Sequence, residues 1–228
     1  MKNLLLLVFL SSQICLAQQT VNVNKENATL TVGTESVPFI RATSKSQPEV
    51  EGSVYLNEEW TQASVTSLTN KKIIKLLARF NTYTNEVEIL KEKDFVSLEP
   101  VSGISVILSG KKFVPLKLEP SAKTIFAESL VHGSLSLYKV YSAKVIKAAT
   151  DASLLNIENK DRVVIQEKLY FKDSSGSFQI LPKKSKKLLA LFDENTQDFI
   201  KNEDLNLKKY ADLVHAFIFY NKNTLVNQ

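Results

Sequence analysis

Cysteine is almost absent from this 228-residue chain, which contains it only at Cys15. We predict below that Cys15 belongs to a segment that is removed, so the remaining chain has no thiol for disulfides or for nucleophilic catalysis. Its stability must therefore come from packing. A chain of about this length buries roughly 70% of its unfolded surface on folding, which is enough for a core of its own.

Glycine and histidine are also scarce, with six and two residues respectively. The glycines are scattered, whereas a phosphate-binding loop needs several close together. His132 and His215 have no HExxH motif around them, and a catalytic zinc takes three protein ligands, so we interpret both as structural or solvated. The acidic segment 193–198 lacks the glycine of a calcium loop and is predicted to cap a helix. The sequence therefore predicts no cofactor and no metal site, and it contains no GxSxG nucleophile motif.

Long apolar runs are missing too. The longest, Leu4–Leu10, follows Lys2 and is far shorter than the roughly 20 residues that cross a bilayer. Polar residues and then Ala17 come after it, in the order typical of a secretory signal peptide. We therefore predict a signal peptide at 1–17, cleaved after Ala17, and no transmembrane segment in the remaining chain.

The predicted cleavage site favours simple export over lipid attachment. The residue before Cys15 is the bulky Ile14, whereas a lipoprotein signal has a small residue there. A cysteine-free composition rich in lysine and asparagine favours a bacterial exported protein. We expect a periplasmic or extracellular location, and the sequence leaves an association with the outer membrane open.

The net charge is a modest +5. Nucleic-acid-binding proteins usually carry a basic stripe interleaved with aromatic residues, so no nucleic-acid partner is predicted. The densest basic run comprises Lys183, Lys184, Lys186 and Lys187, which could meet an anionic surface polymer or form a solvated helix entrance. Because four positive charges at a helix N-terminus oppose the helix dipole, local stability does not explain them, and all four are candidate ligand-binding residues.

Residues 51–182 have the pattern of an antiparallel sheet. Short segments rich in apolar and β-branched residues recur about every ten residues, separated by turn residues. Ile73–Phe80 is ambiguous because it also suits a helix. Its β-branched start and the turn-like segment 81–85 after it favour a strand. The sequence leaves open whether the sheet is open, curved or barrel-like.

The two ends of the chain have different patterns. Residues 18–50 are predicted as an N-terminal arm or linker, with a short hairpin and then a polar extended stretch at 33–48. Residues 183–228 are predicted to be helices packed on the sheet, and Asp204 or Asn206 is the expected cap of the last one. That helix has a wide apolar stripe made of Tyr210, Leu213, Val214, Phe217 and Ile218. Strands followed by helices define the α+β class.

The single tryptophan, Trp60, follows Glu58 and Glu59. Paired carboxylates beside an aromatic ring are typical of glycosidases. However, adjacent residues on a strand point to opposite faces, so these two acids would not serve one site. We interpret the segment as a charged turn with Trp60 anchoring the core, and keep Trp60 as a candidate ligand contact.

Three segments have a shared pattern. In Gly52–Glu88, Val54-Tyr55-Leu56 and Trp60 precede Arg79–Glu88, which is similar to a "YN-x-Y-x-D/N-E" hairpin; in Leu130–Tyr138 a glycine precedes a Leu-Tyr strand; and Lys208–Asn221 ends in Tyr220-Asn221. With these segments the chain resembles a group of secreted proteins of Bacteroidota-type bacteria. Phe80 stands where the hairpin motif usually has tyrosine. The resemblance implies export and an α+β fold, and it assigns no activity. Tyr83, within the hairpin, is a further candidate ligand-binding residue.

These observations favour a non-catalytic exported module that binds or scaffolds a component of the bacterial cell envelope. The expected partner is an envelope protein or an anionic surface polymer. One alternative is a carrier that holds an apolar ligand in a cavity between the sheet and the helices. A second alternative is an unrecognised hydrolase acting on glycan or peptide.

Overall fold

The computed structural model describes residues 50–67, 73–91, 94–118, 123–148 and 160–224 with their side chains. It describes the backbone alone for residues 21–24, 29–32, 35–38, 40–42 and 225–226. The predicted signal peptide at 1–17 lies outside the described residues.

The described strands form two antiparallel sheets. The smaller sheet has the order β1-β2-β3 and consists of β1 (Val21–Asn24), β2 (Thr29–Val32) and β3 (Glu35–Pro38). The larger sheet consists of β4 (Ile40–Ala42), β5 (Thr61–Ser67), β6 (Ile73–Asn81), β7 (Glu86–Lys91), β8 (Asp94–Leu98), β9 (Ile104–Leu108), β10 (Lys111–Leu118), β11 (Lys123–Val131), β12 (Ser136–Ile146), β13 (Arg162–Lys172) and β14 (Phe178–Ile180).

The eleven strands of the larger sheet lie side by side in the order β14-β13-β12-β11-β10-β9-β5-β6-β7-β8-β4. Every neighbouring pair is antiparallel. Among the strands that the structure describes, β14 and β4 are the two edges, so the sheet is not closed. The prediction of a mainly antiparallel sheet followed by helices is confirmed at this level.

The ambiguous segment at the start of β6 is a strand. Ile74 and Leu76 are buried, whereas Ile73 and Leu77 on either side of them are 61% and 45% exposed. This two-residue period is that of a strand with one face in the core. The turn was predicted at 81–85; it occupies residues 82–85 and joins β6 to β7, since Asn81 is the last residue of β6.

One stretch differs from the sequence prediction. Residues 35–42, within the stretch predicted as extended and polar, contain the short strands β3 and β4, and β4 pairs with β8 at one sheet edge. Strands of four and three residues are too short for a two-residue period to be recognised in the sequence.

Two apolar clusters stabilise the fold. The first fills the space among β5 to β9 and extends to β10, where the rings of Phe80 and Phe113 stack with their centroids 4.6 Å apart. The second joins the end of the sheet to the C-terminal helices through residues such as Leu137, Phe171 and Phe217. The helices are therefore held on the sheet by apolar burial, the dominant favourable term in folding.

Three helices follow the sheet: α1 (Ser185–Leu189), α2 (Glu194–Asn202) and α3 (Tyr210–Val226). Asp193 caps α2, since its side chain accepts a hydrogen bond of 2.9 Å from the backbone N–H of Thr196. The interpretation of the acidic segment as a helix cap is thus confirmed. No helix in the described part of the chain has the length and apolar character needed to cross a membrane.

The predicted cap of α3 was wrong. The helix begins at Tyr210, several residues after Asp204 and Asn206. Asp204 has a φ of +50° just after α2, and the backbone N–H of Asn206 donates to the carboxylate of Asp212 at 2.9 Å. The sequence pattern missed this because the turn at 206–209 contains good cap residues but does not continue as helix. The buried apolar stripe of α3 is also narrower than predicted, since two of its five predicted residues, Tyr210 and Ile218, are 48% and 39% exposed.

Candidate functional site

A groove of about 860 Å³, open to solvent, lies between the β12–β13 end of the sheet and the segments that carry α1 and the start of α3. Its walls combine two kinds of side chain. The apolar lining residues are Leu169, Ile180, Leu181, Pro182, Leu188, Leu207 and Leu213. The charged and phenolic lining residues are Lys139, Glu167, Lys168, Lys183, Lys208 and Tyr210.

Local sequence features position the walls. Strand β14 ends at Ile180 and Pro182 follows two residues later, so the chain leaves the sheet there. Leu188 on α1 and Leu213 on α3 are buried in the second apolar cluster, which holds both helices against the sheet. The segment before α3 brings Lys208 to the groove, opposite the strands.

Lys139 is the least exposed of the groove lysines, with 12% of its side chain exposed. Its Nζ lies 3.0 Å from Oε2 of Glu167 and 4.4 Å from the centre of the Tyr210 ring. The ion pair and the cation–π contact neutralise this lysine and fix its position. The pKa of Tyr210 is raised, first by burial and then by the negative charge of Glu128.

A buried carboxylate, Glu128, lies beside this wall. Glu128 is opposite Lys139 in the register of β11 and β12 and is 7% exposed. It accepts a hydrogen bond from the Tyr141 hydroxyl, and its Oε1 lies 3.2 Å from Nζ of Lys111. Burial, and then the hydrogen bond with Glu128, raise the pKa of Tyr141 well above its ordinary value. These groups satisfy one another and form a structural wall rather than a free binding group.

Lys168, Lys183 and Lys208 differ from Lys139. All three are exposed, and within the described ranges none of them forms an ion pair with a carboxylate. The Nζ of Lys168 lies 5.9 Å from the centre of the Tyr170 ring, on the face of β13 opposite to Leu169. Lys183 and Lys208 place two uncompensated positive charges beside the apolar floor, and Lys168 adds a third at the edge of the groove, on the other face of β13. Together they give the groove a positive potential that attracts an anion.

The predicted basic run is divided by the fold. Lys183 lies at the groove, whereas Lys184, Lys186 and Lys187 are exposed on or beside α1 and do not line it. Because α1 has only five residues, Lys186 and Lys187 lie in its first turn and in its last turn at once, so the helix dipole does not account for their charges.

Trp60 lies in a separate cluster. The guanidinium of Arg79 lies 4.2 Å from the Trp60 ring centre and 3.8 Å from that of Tyr55. Arg79 Nε also donates to Glu88 at 2.9 Å, and Asn81 Nδ2 donates to the same carboxylate at 2.8 Å. Glu88 is 1% exposed, so its charge is buried and paired. Trp60 thus covers the Arg79–Glu88 ion pair. The sequence analysis had interpreted Trp60 as a core anchor.

The remaining sequence candidates lie elsewhere. Glu58 and Glu59 are both exposed, and Tyr83 is 45% exposed at the tip of the β6–β7 turn, outside the groove lining. His132 is exposed in the β11–β12 turn, and His215 is exposed with its ring 5.2 Å from that of Phe199. Among the described side chains, no three His, Cys, Asp or Glu residues cluster in a way that could hold a metal ion.

The sequence analysis missed Lys139, Lys168 and Lys208 as site residues. Each is one of many lysines in a chain with 29 basic residues, and no spacing connects them. They meet because β12 and β13 pair and because α3 returns to the sheet edge. No local sequence signal encodes that meeting.

Comparison with protein-family models finds no match, and comparisons with curated proteins and with solved structures find none either. The resemblance to secreted proteins of Bacteroidota-type bacteria therefore stays a prediction.

Proposed function

We propose that this protein is a binding module that holds an anionic, elongated ligand in the groove between β13 and the C-terminal helices. The observation that carries the proposal is the combination of an apolar floor with three exposed lysines, Lys168, Lys183 and Lys208, that have no ion-pair partner among the described residues. The lysine stems extend the apolar surface while the ammonium groups supply charge. A ligand with acidic groups on a partly apolar backbone satisfies both.

The groove supports an anionic ligand better than a purely apolar one. Carriers of small apolar ligands enclose most of the ligand surface, whereas this groove is open and has charged residues on its walls. The hydrolase alternative draws no support from the acids beside Trp60. Both Glu58 and Glu59 are exposed, and the face of Trp60 is covered by Arg79.

Two triple variants with the same change of charge test the proposal. The first replaces Lys168, Lys183 and Lys208 with glutamine, and the matched control replaces Lys184, Lys186 and Lys187. The probes are a fluorescently labelled oligoglutamate and an oligouronate of equal charge, titrated by anisotropy at two salt concentrations. Since an exposed ion pair contributes up to about 1 kcal/mol, we expect the groove variant to bind about tenfold more weakly. The control should stay close to the unmodified protein.

Equal losses in the two variants would show that only net charge matters, and the groove would not be the site. Binding of neither probe to the unmodified protein would remove the anionic-ligand proposal altogether. Circular dichroism of each variant checks that the fold is retained, which the exposure of all six lysines leads us to expect.

We further propose that the module acts outside the cytoplasm, on the ground of the predicted signal peptide at 1–17. Expression of the full chain in a bacterial host, followed by cell fractionation and N-terminal sequencing, tests this. The expected exported product begins at Gln18. A full-length product retained in the cytoplasm would overturn the proposal of export without affecting the groove.

A further inference from the structure

Strand β13 has a long edge that is only partly paired. Its inner edge pairs with β12 along the whole strand, whereas on the outer side β14 covers only Tyr170–Lys172. Beyond β14, the backbone N–H of Leu181 donates to the Leu169 carbonyl at 2.9 Å. At the other end, the N–H of Val163 donates to the Glu51 carbonyl at 3.0 Å.

These two bonds show which backbone groups face outward. The N–H and C=O groups of alternate residues of a strand point to the same side. The backbone groups of Val163 and Leu169 point to the outer edge of β13. The backbone groups of Ile165 and Glu167, which alternate with them along the strand, therefore point to the same edge. In the part of the chain that the structure describes, their four backbone groups have no hydrogen-bond partner.

Part of the bare stretch of edge, residues 166–168, opens into the groove. Gln166, Glu167 and Lys168 are exposed and line it. The gap between the contacts of Glu51 and Leu181 covers residues 164–168, which corresponds to about 17 Å of strand. The groove therefore has one wall that includes the unpaired backbone groups of Glu167 and an opposite wall that includes Lys183 and Lys208.

We propose that the ligand of this groove is an extended acidic peptide segment of a partner protein, which adds to β13 as a further strand. This inference rests on the proposed function and names its ligand class. Backbone hydrogen bonds to Ile165 and Glu167 hold such a peptide, and its alternate side chains reach the two walls. Side chains on one face of the peptide reach Lys168, and those on the other face reach the leucine floor with Lys183 and Lys208. Acidic side chains pair with the lysines on their own face.

Two observations favour a peptide over other occupants. Donors and acceptors alternate along the edge at strand spacing, and a polypeptide backbone presents the complementary series, whereas a polysaccharide or a lipid headgroup does not. A second copy of this chain would bring its own lysines to the same edge and repel them, since the chain has a net charge of +5. Charge complementarity therefore selects an acidic partner.

Four labelled heptapeptides test the inference on the full-length processed protein. The parent alternates glutamate with valine, and a second peptide has lysine in place of glutamate. The other two carry N-methyl groups on the glutamate residues or on the valine residues, so that each loses one set of backbone donors. We expect the parent to bind and the lysine peptide to lose at least about tenfold. Only one of the two methylated peptides should lose affinity, again by at least about tenfold, because only one set of N–H groups faces β13.

Two variants of Glu167 test the contribution of the β13 edge to peptide binding. Glu167→Pro removes an outward N–H without removing a bond to β12, which an edge strand tolerates, whereas Glu167→Gln keeps the N–H and removes the charge. Glu167→Pro should weaken binding of the parent peptide at least about tenfold. Glu167→Gln should bind the parent more tightly than the unmodified protein, because a negative charge is lost from the groove.

The outcomes separate the inference from the proposed function. The parent and both methylated peptides could bind with equal affinity, in a way that needs the three groove lysines. That result would keep the anionic groove and overturn strand addition. Binding of the oligouronate but of no peptide, again dependent on the three groove lysines, would also keep the anionic groove and overturn strand addition. Dimers that disappear in Glu167→Pro would assign the edge to a second copy and overturn the acidic partner. Failure of every anionic probe would overturn both proposals.

Discussion

The side chain of Asn221, on the last helix, pairs with both backbone groups of Leu135 in the β11–β12 connection. Its Nδ2 donates to the Leu135 carbonyl at 2.8 Å, and its Oδ1 accepts from the Leu135 N–H at 3.0 Å. Nδ2 also donates to Phe217 O. A Cβ at Gly133 would lie 2.1 Å from the same Oδ1, so only glycine fits beside this amide. This contact connects α3 to the sheet at a defined position.

We expect Asn221→Ala to lower the free energy of unfolding by about 2–4 kcal/mol, because it leaves the buried groups of Leu135 without partners. Urea unfolding followed by circular dichroism measures the loss. Asn223→Ala is the matched control on the same helix, since its Nδ2 is buried without a hydrogen-bond partner among the described residues. The control should change stability by less than about 0.5 kcal/mol. Similar losses in the two variants would mean that helix composition, not the Leu135 contact, is responsible.

The Arg79–Glu88 ion pair predicts that two substitutions of Arg79 lower the free energy of unfolding by different amounts. Arg79→Lys keeps the charge but loses the planar stack between Tyr55 and Trp60, so we expect a loss of about 1–2 kcal/mol. Arg79→Met leaves the Glu88 carboxylate buried with no cation, and should cost about 3–5 kcal/mol. The chain has one tryptophan, so the fluorescence of Trp60 reports on this cluster during unfolding.

Combining Arg79→Met with Glu88→Gln tests the cause of that loss. The double variant should be more stable than Arg79→Met alone, because the buried charge is removed together with its partner. A double variant whose loss equals the sum of the two single losses would contradict the coupling.

The buried Tyr141 should make the free energy of unfolding depend on pH in the alkaline range. Its pKa is raised by burial and by Glu128, so the folded protein keeps this proton where the unfolded chain, with a tyrosine pKa of about 10, releases it. The unfolded state then binds fewer protons than the folded state. Above pH of about 10, the free energy of unfolding therefore falls by about 1.4 kcal/mol per pH unit on account of this group.

Tyr141→Phe should remove that part of the decline. At neutral pH the variant is expected to be less stable by about 1–3 kcal/mol, since Glu128 loses a hydrogen bond. The stability curves of the two proteins should therefore converge as the pH rises above about 10. Urea unfolding at a series of pH values measures both curves, and Tyr83→Phe, at an exposed tyrosine, controls for the loss of a hydroxyl. Curves that stay parallel would refute the assignment.

Much of the strand pattern was predictable because it is local. The alternation in Ile73–Asn81 records which side chains face the core, and the turn residues of Asp173–Gly176 mark the hairpin between β13 and β14. The start of α3 was not predictable in the same way. Asp204 and Asn206 are good cap residues by type, but the turn that follows them places the first helical residue at Tyr210.

The sequence by itself determined the α+β class, the order of strands and helices, the absence of cysteine after Cys15 and an excess of positive charge. Each follows from composition or from a period within a few residues. The tertiary structure alone decided that Lys168, Lys183 and Lys208 line one groove and that part of the β13 edge there lacks a partner. Local periodicity reports which side of a strand is buried, but not which distant segment covers it. The meeting of these groups depends on where β14 ends and where α3 packs.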